Sequence, residues 1–310
     1  FFFGLSIEGQ IKKNMKKAVP DSCTGFDFAY DIDRFYKRRN RHMSNFIFEN
    51  TWEENQEALK TKKLAIIPVG STEQHGPALP VGTDWIVAEY LAKKVGEKTD
   101  KGLVAPVIPY GHALYHADFP GTMAVSQTTL AAYVKEVCDQ LVSYGFTHFL
   151  FLNGHGGNNN ALYDVGQYLR LKNIPVANIQ WFEVAGDLNP EWGLIGHGDI
   201  TETAVMMHIA PETVKVERAH IPDNQKIGNI QFLDLHRGEF DGAAVYLNLR
   251  TRDVSKTGDL IEHGHAAGVD YSKSARDATA ELGKEVCDAV VDYVLKFIDE
   301  FVKFEFEYRK

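Results

Sequence analysis

The chain of 310 residues has 44% hydrophobic and 24% charged residues, an ordinary globular composition, and a net charge of −9. The acidic balance excludes a nucleic-acid binder that works through phosphate contacts, and no apolar run approaches the roughly 20 residues needed to span a bilayer. Three widely spaced cysteines, Cys23, Cys138 and Cys287, form no CxxC pattern; this argues against a disulfide framework or a thiolate zinc site and predicts a reducing, cytoplasmic setting.

Residues 1–43 stand apart, with nine basic and five acidic residues. They read as an amino-terminal extension or an appended segment, and Arg41-His42-Met43-Ser44 resembles a cloning junction. The apolar start, residues 1–7, is too short for the core of a signal peptide. No linker rich in Gly, Ser or Pro follows residue 45, so residues 44–310 are expected to form one domain.

The first strand expected is Leu64-Ala65-Ile66-Ile67-Pro68-Val69. It runs into Gly70-Ser71-Thr72-Glu73-Gln74-His75-Gly76-Pro77 and then Gly82-Thr83-Asp84. Ligands in open α/β sheets bind at the carboxyl ends of strands, and Glu, His and Asp suit Zn²⁺, Mn²⁺ or Fe²⁺. Glu73 and His75 are two apart, so on extended backbone their side chains point the same way. A helix over 85–95 follows, then a strand over 103–109 whose prolines favour an edge or an early end. Ser126 is a good N-cap, and Leu130, Val134, Cys138 and Leu141 recur at helical spacing as a core stripe.

A central strand over 148–152 leads into Gly154-His155-Gly156-Gly157-Asn158, where a glycine-dense turn can aim an imidazole inward. A helix over 160–171 and a strand over 174–179 come next. His197-Gly198-Asp199-Ile200-Thr201-Glu202 then places a His and a Glu five apart at a loop-to-helix junction. Residues 221–256 lack periodicity, with a short strand expected over 245–249, and residues 286–301 read as a long terminal helix. The alternation predicts an α/β fold with three α-β-α layers around a mostly parallel sheet. Glu73, His75, Asp84, His155 and the 197–202 element then converge on one metal site. His42, His208, His220 and His236 read as core or turn residues.

These motifs, with Phe119-Pro120-Gly121-Thr122 and Ala278-Thr279-Ala280-Glu281-Leu282-Gly283, resemble the creatininase (creatinine amidohydrolase) family over residues 45–301. The resemblance implies a centre of two divalent ions, Zn or Mn, with Fe as a further fit, that hydrolyses C–N bonds in small cyclic amides, formamides or related substrates through a metal-bound hydroxide. It makes Asp84 the bridge, gives Glu73 and His155 to one ion and His75 to the other, and makes His197 the substrate-facing catalytic residue. The family's further carboxylate, two positions after the loop His, is replaced by Gly157, so Glu202 is expected to fill that gap as ligand and catalytic residue. Its alternative role is a carboxylate that complements the helix dipole.

Trp181 resembles a pocket tryptophan, and His116 lies in the segment expected to meet substrate. Ala113, Gly193 and Leu194 depart from the creatinine pocket, which implies a substrate other than creatinine. Three further readings stay open: a peptidase that trims a precursor in cofactor maturation, a hydrolase that opens an oxidised inositol-like ring, and a non-catalytic metal-bound scaffold. The family also implies a homohexamer acting on a small molecule, while the charge and the lack of a spanning apolar run predict no nucleic acid or membrane partner.

Overall fold

The protein is represented by a computed structural model that describes residues 43–192, 196–262 and 273–306. β1 (Leu64–Val69) is buried at every position, as expected of a strand covered on both faces. Its side chains alternate between two cores: Leu64 and Ile66 enter one, Ala65, Ile67 and Val69 the other. β1 pairs in parallel with β2 (Gly102–Val104) on one side and β3 (His148–Asn153) on the other, and β3 pairs in parallel with β4 (Val176–Gln180). The sheet order is therefore β2-β1-β3-β4.

Helices cover both faces. α2 (Thr83–Lys98), α5 (Trp181–Leu188), α6 (Ile200–Ile209) and α8 (Ala280–Phe301) pack on the Leu64/Ile66 side. α3 (Gln127–Ser143) and α4 (Asn159–Arg170) pack on the other, joined by the end of α1 (Trp52–Ala58). The three-layer expectation and the mostly parallel sheet hold. Ser126 caps α3 as expected, accepting from the Thr129 amide. β2 is shorter than the strand expected over 103–109: it stops at Val104, and only an isolated bridge pairs Val69 with Ile108. Pro106 and Pro109 supply no amide donors, so a regular ladder cannot continue.

The aperiodic stretch 221–256 holds three antiparallel strands, β6 (Gln231–Asp234), β7 (Arg237–Phe240) and β8 (Ala243–Tyr246), then a short α7 (Thr251–Val254). A two-stranded ribbon pairs β5 (Gly196–His197) with β9 (Leu260–Ile261). Among the described residues, no helix is long and apolar enough to cross a membrane.

Two glycines at strand ends set the position of α2. A Cβ on Gly70 would lie 2.3 Å from the Trp85 Cα, and one on Gly154 would lie 2.3 Å from the Asp84 carbonyl oxygen. Only glycine permits that approach, and it seats the first turn of α2, with Asp84, across the carboxyl ends of β1 and β3. A third contact fixes α6: a Cβ on Gly283 of α8 would lie 1.9 Å from the Ala204 carbonyl oxygen. Overpacking costs about 1–3 kcal/mol. Gly283→Val should therefore lower stability by about that amount in urea unfolding and, by pushing α6 away, weaken divalent-metal retention as well. Wild-type stability and metal retention would show that the helix crossing does not set the site.

Candidate metal centre

Glu73 and His75 leave β1 on an irregular segment, Asp84 sits in the first turn of α2, His155 follows β3 and Glu202 lies in the first turn of α6. All five are buried. Asp84 thus belongs to a helix start rather than to the loop before it. Their atoms fall into overlapping triads compatible with metal binding: Glu73, Asp84 and His155; His75, Asp84 and Glu202; and Glu73, His75 and His197.

Asp84 is shared by two of these triads, one oxygen to each. Its Oδ1 is 3.0 Å from His75 Nε2, and its Oδ2 is 3.4 Å from His155 Nδ1. Glu202 Oε1 lies 3.7 Å from His75 Nε2, while its Oε2 accepts from the Gly198 amide at 2.7 Å. Glu202 therefore joins the cluster and also accepts an amide at the helix entry, so its two sequence readings are not exclusive.

Backbone carbonyls set the imidazole tautomers, because a carbonyl oxygen only accepts. His75 Nδ1 is 3.1 Å from the Glu73 carbonyl and must donate to it. The lone pair on Nε2 then faces Asp84 and Glu202. His155 Nε2 is 3.1 Å from the His112 carbonyl, which leaves Nδ1 facing Asp84. Metal-binding histidines are commonly fixed in this way by the bond at their other nitrogen.

The buried carboxylates favour a cation. Among the described residues, neither Glu73 oxygen nor Asp84 Oδ2 receives a hydrogen bond, although all three atoms are buried. Their near neighbours are imidazole nitrogens, His155 Nε2 3.1 Å from Glu73 Oε2, His116 Nε2 3.4 Å from Oε1 and His155 Nδ1 3.4 Å from Asp84 Oδ2, and burying carboxylates so thinly compensated is unfavourable. A donor set of three carboxylates and two imidazoles suits Zn²⁺ or Mn²⁺, so the residues present fit a pair of divalent ions.

In the metal-free protein, protons carry part of this compensation. Burial pulls the His75 imidazole down, but Asp84 and Glu202 outweigh it and hold it well above its usual range. Burial likewise opposes the charged form of His155, yet Glu73 and Asp84 raise it to about 9. Glu73 is held below the usual carboxylate range: burial raises it, and the imidazoles, His155 first, overcome that. Asp84 is pushed up, by burial first and then by Glu73. Glu202 falls, since His75 outweighs its burial.

His197 lies between two imidazoles, its ring centroid 4.2 Å from that of His75 and 4.3 Å from that of His116. Its Nε2 is 2.5 Å from the Gln74 carbonyl and donates to it. The other nitrogen, Nδ1, is 3.9 Å from Glu73 Oε1.

His116 is brought to the cluster but is committed inward. Its Nδ1 meets the Gln74 amide at 2.9 Å and the Thr251 hydroxyl at 2.6 Å, and its Nε2 lies 3.4 Å from Glu73 Oε1. Burial holds its pKa well below the usual range, so it is a neutral support for Glu73. Trp181 is not brought to the pocket. It is 4% exposed, packed edge-on to Phe182 within the core. Its place at the first residue of α5 turns it under the sheet end, and Phe182 and Glu183 line the pocket instead. Ala113 is fully buried, whereas Gly193, Leu194 and His42 lie outside the described residues.

The cluster opens into a cavity of about 460 Å³. Its far wall includes Asp234, His236, Arg237 and Tyr246 from the β6–β8 hairpins, with Glu262 beside them. His236 therefore faces a pocket and is not only a turn residue. His208 pairs with the Tyr90 hydroxyl at 3.1 Å, and His220 lies 3.4 Å from Asp259, as expected of packing or turn histidines. The described cysteines Cys138 and Cys287 are buried thiols pushed up to about 12 by burial, far from ligand chemistry.

The family model for creatininase, creatinine amidohydrolase, matches residues 49–298. A 3-dehydro-scyllo-inosose hydrolase of Thermotoga maritima is 28% identical over 271 residues, covering 82% of this chain and 82% of that protein. A mycofactocin precursor peptide peptidase of Mycolicibacterium smegmatis is 34% identical over 156 residues, 49% of this chain and 60% of the peptidase. A mutant creatininase of Zn–Zn type shares the fold with a TM-score of 0.65 at 23% identity, covering 84% of this chain and 99% of that one.

If Asp84 serves both ions, Asp84→Ala should lose most bound metal, while Glu202→Gln should weaken only the ion beside His75. Elemental analysis checks both; full occupancy in Asp84→Ala would remove the bridging role. The pH dependence has a definite sign. His155 titrates at about 9 in the metal-free fold against 6.5 for an ordinary imidazole, so its stabilising charge is complete below pH 6.5 and lost as pH rises through 9. The melting temperature of chelator-stripped protein should fall across that window and that of Zn²⁺- or Mn²⁺-loaded protein should not. Parallel profiles would contradict this account.

Proposed function

The chain belongs to the creatininase family of hydrolases, and we propose that residues 44–310 form a hydrolase domain that uses two divalent ions on a small, polar, ring-shaped substrate. The observation that carries the proposal is Asp84, buried and shared between two ligand triads at the floor of the cavity. When bound, such ions polarise a carbonyl and lower the pKa of water towards about 7. The side chains do the rest. Glu73, Asp84 and Glu202 balance the ions' charge, and His116 steadies Glu73. His197, fixed through Nε2 by the Gln74 carbonyl, keeps Nδ1 free to take a proton from attacking water and pass it to the departing atom.

For the substrate, the far wall matters most. Asp234 and Arg237, an ion pair at 3.4 Å, stand there with Glu262 and Tyr246, a polar set suited to a substrate with several ring hydroxyls. Among the described residues, no tryptophan lines the cavity. This favours an oxidised polyhydroxylated ring, in keeping with the inosose hydrolase, which aligns over most of both chains. Hydrolysis of a C–N bond in a cyclic amide or formamide is the second reading, supported by the family description. Assembly as a homohexamer and a cytoplasmic location belong to the same proposal.

The test is turnover by metal-loaded protein of oxidised inositols, creatinine, formamides and short peptides. Oxidised inositols should be hydrolysed and creatinine poorly or not at all. His197→Asn should lose about 10²–10⁴-fold in rate while keeping its metal. Efficient creatinine hydrolysis would overturn the substrate reading, and an unchanged rate in His197→Asn would remove its proton-transfer role.

A further inference from the structure

Gly157 lies where three polar atoms meet. A Cβ at this position would be 2.3 Å from the Tyr115 hydroxyl oxygen, 2.4 Å from the His112 carbonyl oxygen and 2.5 Å from His155 Nε2. Backbone and a ligand imidazole form two sides of this space, so no side chain fits without moving the site. The volume is already filled, and what fills it is the phenol of Tyr115.

Tyr115 Oη is 3.1 Å from His155 Nε2, the nitrogen that donates to the His112 carbonyl. That nitrogen thus faces three oxygens, the phenol, the His112 carbonyl and Glu73 Oε2, each at 3.1 Å. Its ring is held on several sides. It lies 4.6 Å from the His116 ring, meets His236 edge-on at 5.1 Å and stacks beside His155 at 6.2 Å between centroids. A ring held this firmly keeps its hydroxyl in one place. The consequence falls on the opposite nitrogen, because a bond at Nε2 fixes both the tautomer and the direction of the Nδ1 lone pair, 3.4 Å from Asp84 Oδ2.

We propose that Tyr115 is a positioning residue for the metal centre, its hydroxyl holding His155 with Nδ1 aimed at the ion shared with Asp84, in the space that Gly157 leaves. The inference rests on the two-ion reading of the site. It differs from a packing role in one respect: the oxygen matters, not the ring.

Tyr115→Phe keeps the ring and removes the oxygen, and Tyr115→Leu removes both. The measurement is Mn²⁺ and Zn²⁺ affinity of the full chain, by competition with a chromophoric chelator, with circular dichroism to check folding. Loss of an outer-shell partner weakens metal binding by about 10–100-fold, so Tyr115→Phe should lose about that much affinity for one of the two ions. Nuclear magnetic resonance of the Zn²⁺-loaded protein should also show the His155 nitrogens shifted from their wild-type positions. If Tyr115→Phe binds both ions like wild type and only Tyr115→Leu is impaired, the ring is structural and the proposal is overturned. If the wild-type chain binds neither ion, the two-ion reading itself fails and takes this inference with it.

Discussion

Three carboxylates buried against one another cannot all carry charge without a compensating cation, and the rest of the site is arranged around that constraint. Two unit charges at about 4 Å repel by about 4 kcal/mol at the effective dielectric of a protein. In the metal-free protein the cluster answers with unequal sharing. Glu73, faced by the His155 and His116 rings, is held ionised, while Asp84 is pushed towards its protonated form. The imidazoles of His75 and His155 hold protons they would lose in isolation under burial. Divalent ions would replace those protons, and metal uptake at such sites is accordingly coupled to proton release.

The fold supplies this concentration of charge by bringing separate chain segments to one edge of the sheet. Glu73 and His75 arrive from β1, His155 from β3, Asp84 from the start of α2 and Glu202 from the start of α6. None of these elements could approach so closely without bare backbone at the contact points. Gly70 and Gly154 let α2 lie across two strand ends, and Gly283 lets α8 lie against α6. The two helix N-termini contribute partial positive charge where anionic side chains gather. A site built on strand ends and helix starts is also stiff, which suits ligands that must keep a fixed separation.

The parallel sheet and the clustered Glu, His and Asp residues were legible because each lies beside an unmistakable local signal. A continuous apolar run marks β1 and β3, and a glycine turn or a helix cap marks the ligand-bearing segments beside them. The far wall had no such signal. Asp234, His236, Arg237 and Tyr246 belong to short hairpins whose strands are largely exposed, so no hydrophobic period announces them. Their approach to the cluster depends on contacts distant in sequence. Trp181 shows a different limit. Adjacent positions at the start of α5 point in different directions, so a single residue separates the core from the pocket lining. β2 ended early for a reason visible in the sequence, since its prolines remove the donors that a longer ladder would need.

The two halves of the centre are not equivalent, and the difference comes from the backbone. The Glu73 carbonyl takes the Nδ1 proton of His75, so that ring presents Nε2. The His112 carbonyl takes the Nε2 proton of His155, so that ring presents Nδ1. Asp84 lies between opposite nitrogens of two rings, one oxygen to each. On the His75 side, Glu202 has one oxygen engaged by the Gly198 amide and one facing the cluster. On the His155 side, both oxygens of Glu73 lack hydrogen bonds among the described residues. Glu73 instead faces imidazole nitrogens, His155 Nε2 at 3.1 Å and His116 Nε2 at 3.4 Å, whereas Glu202 shares its carboxylate with the backbone. The two sides of Asp84 thus differ in what competes for the carboxylate: side-chain imidazoles at Glu73, a main-chain amide at Glu202.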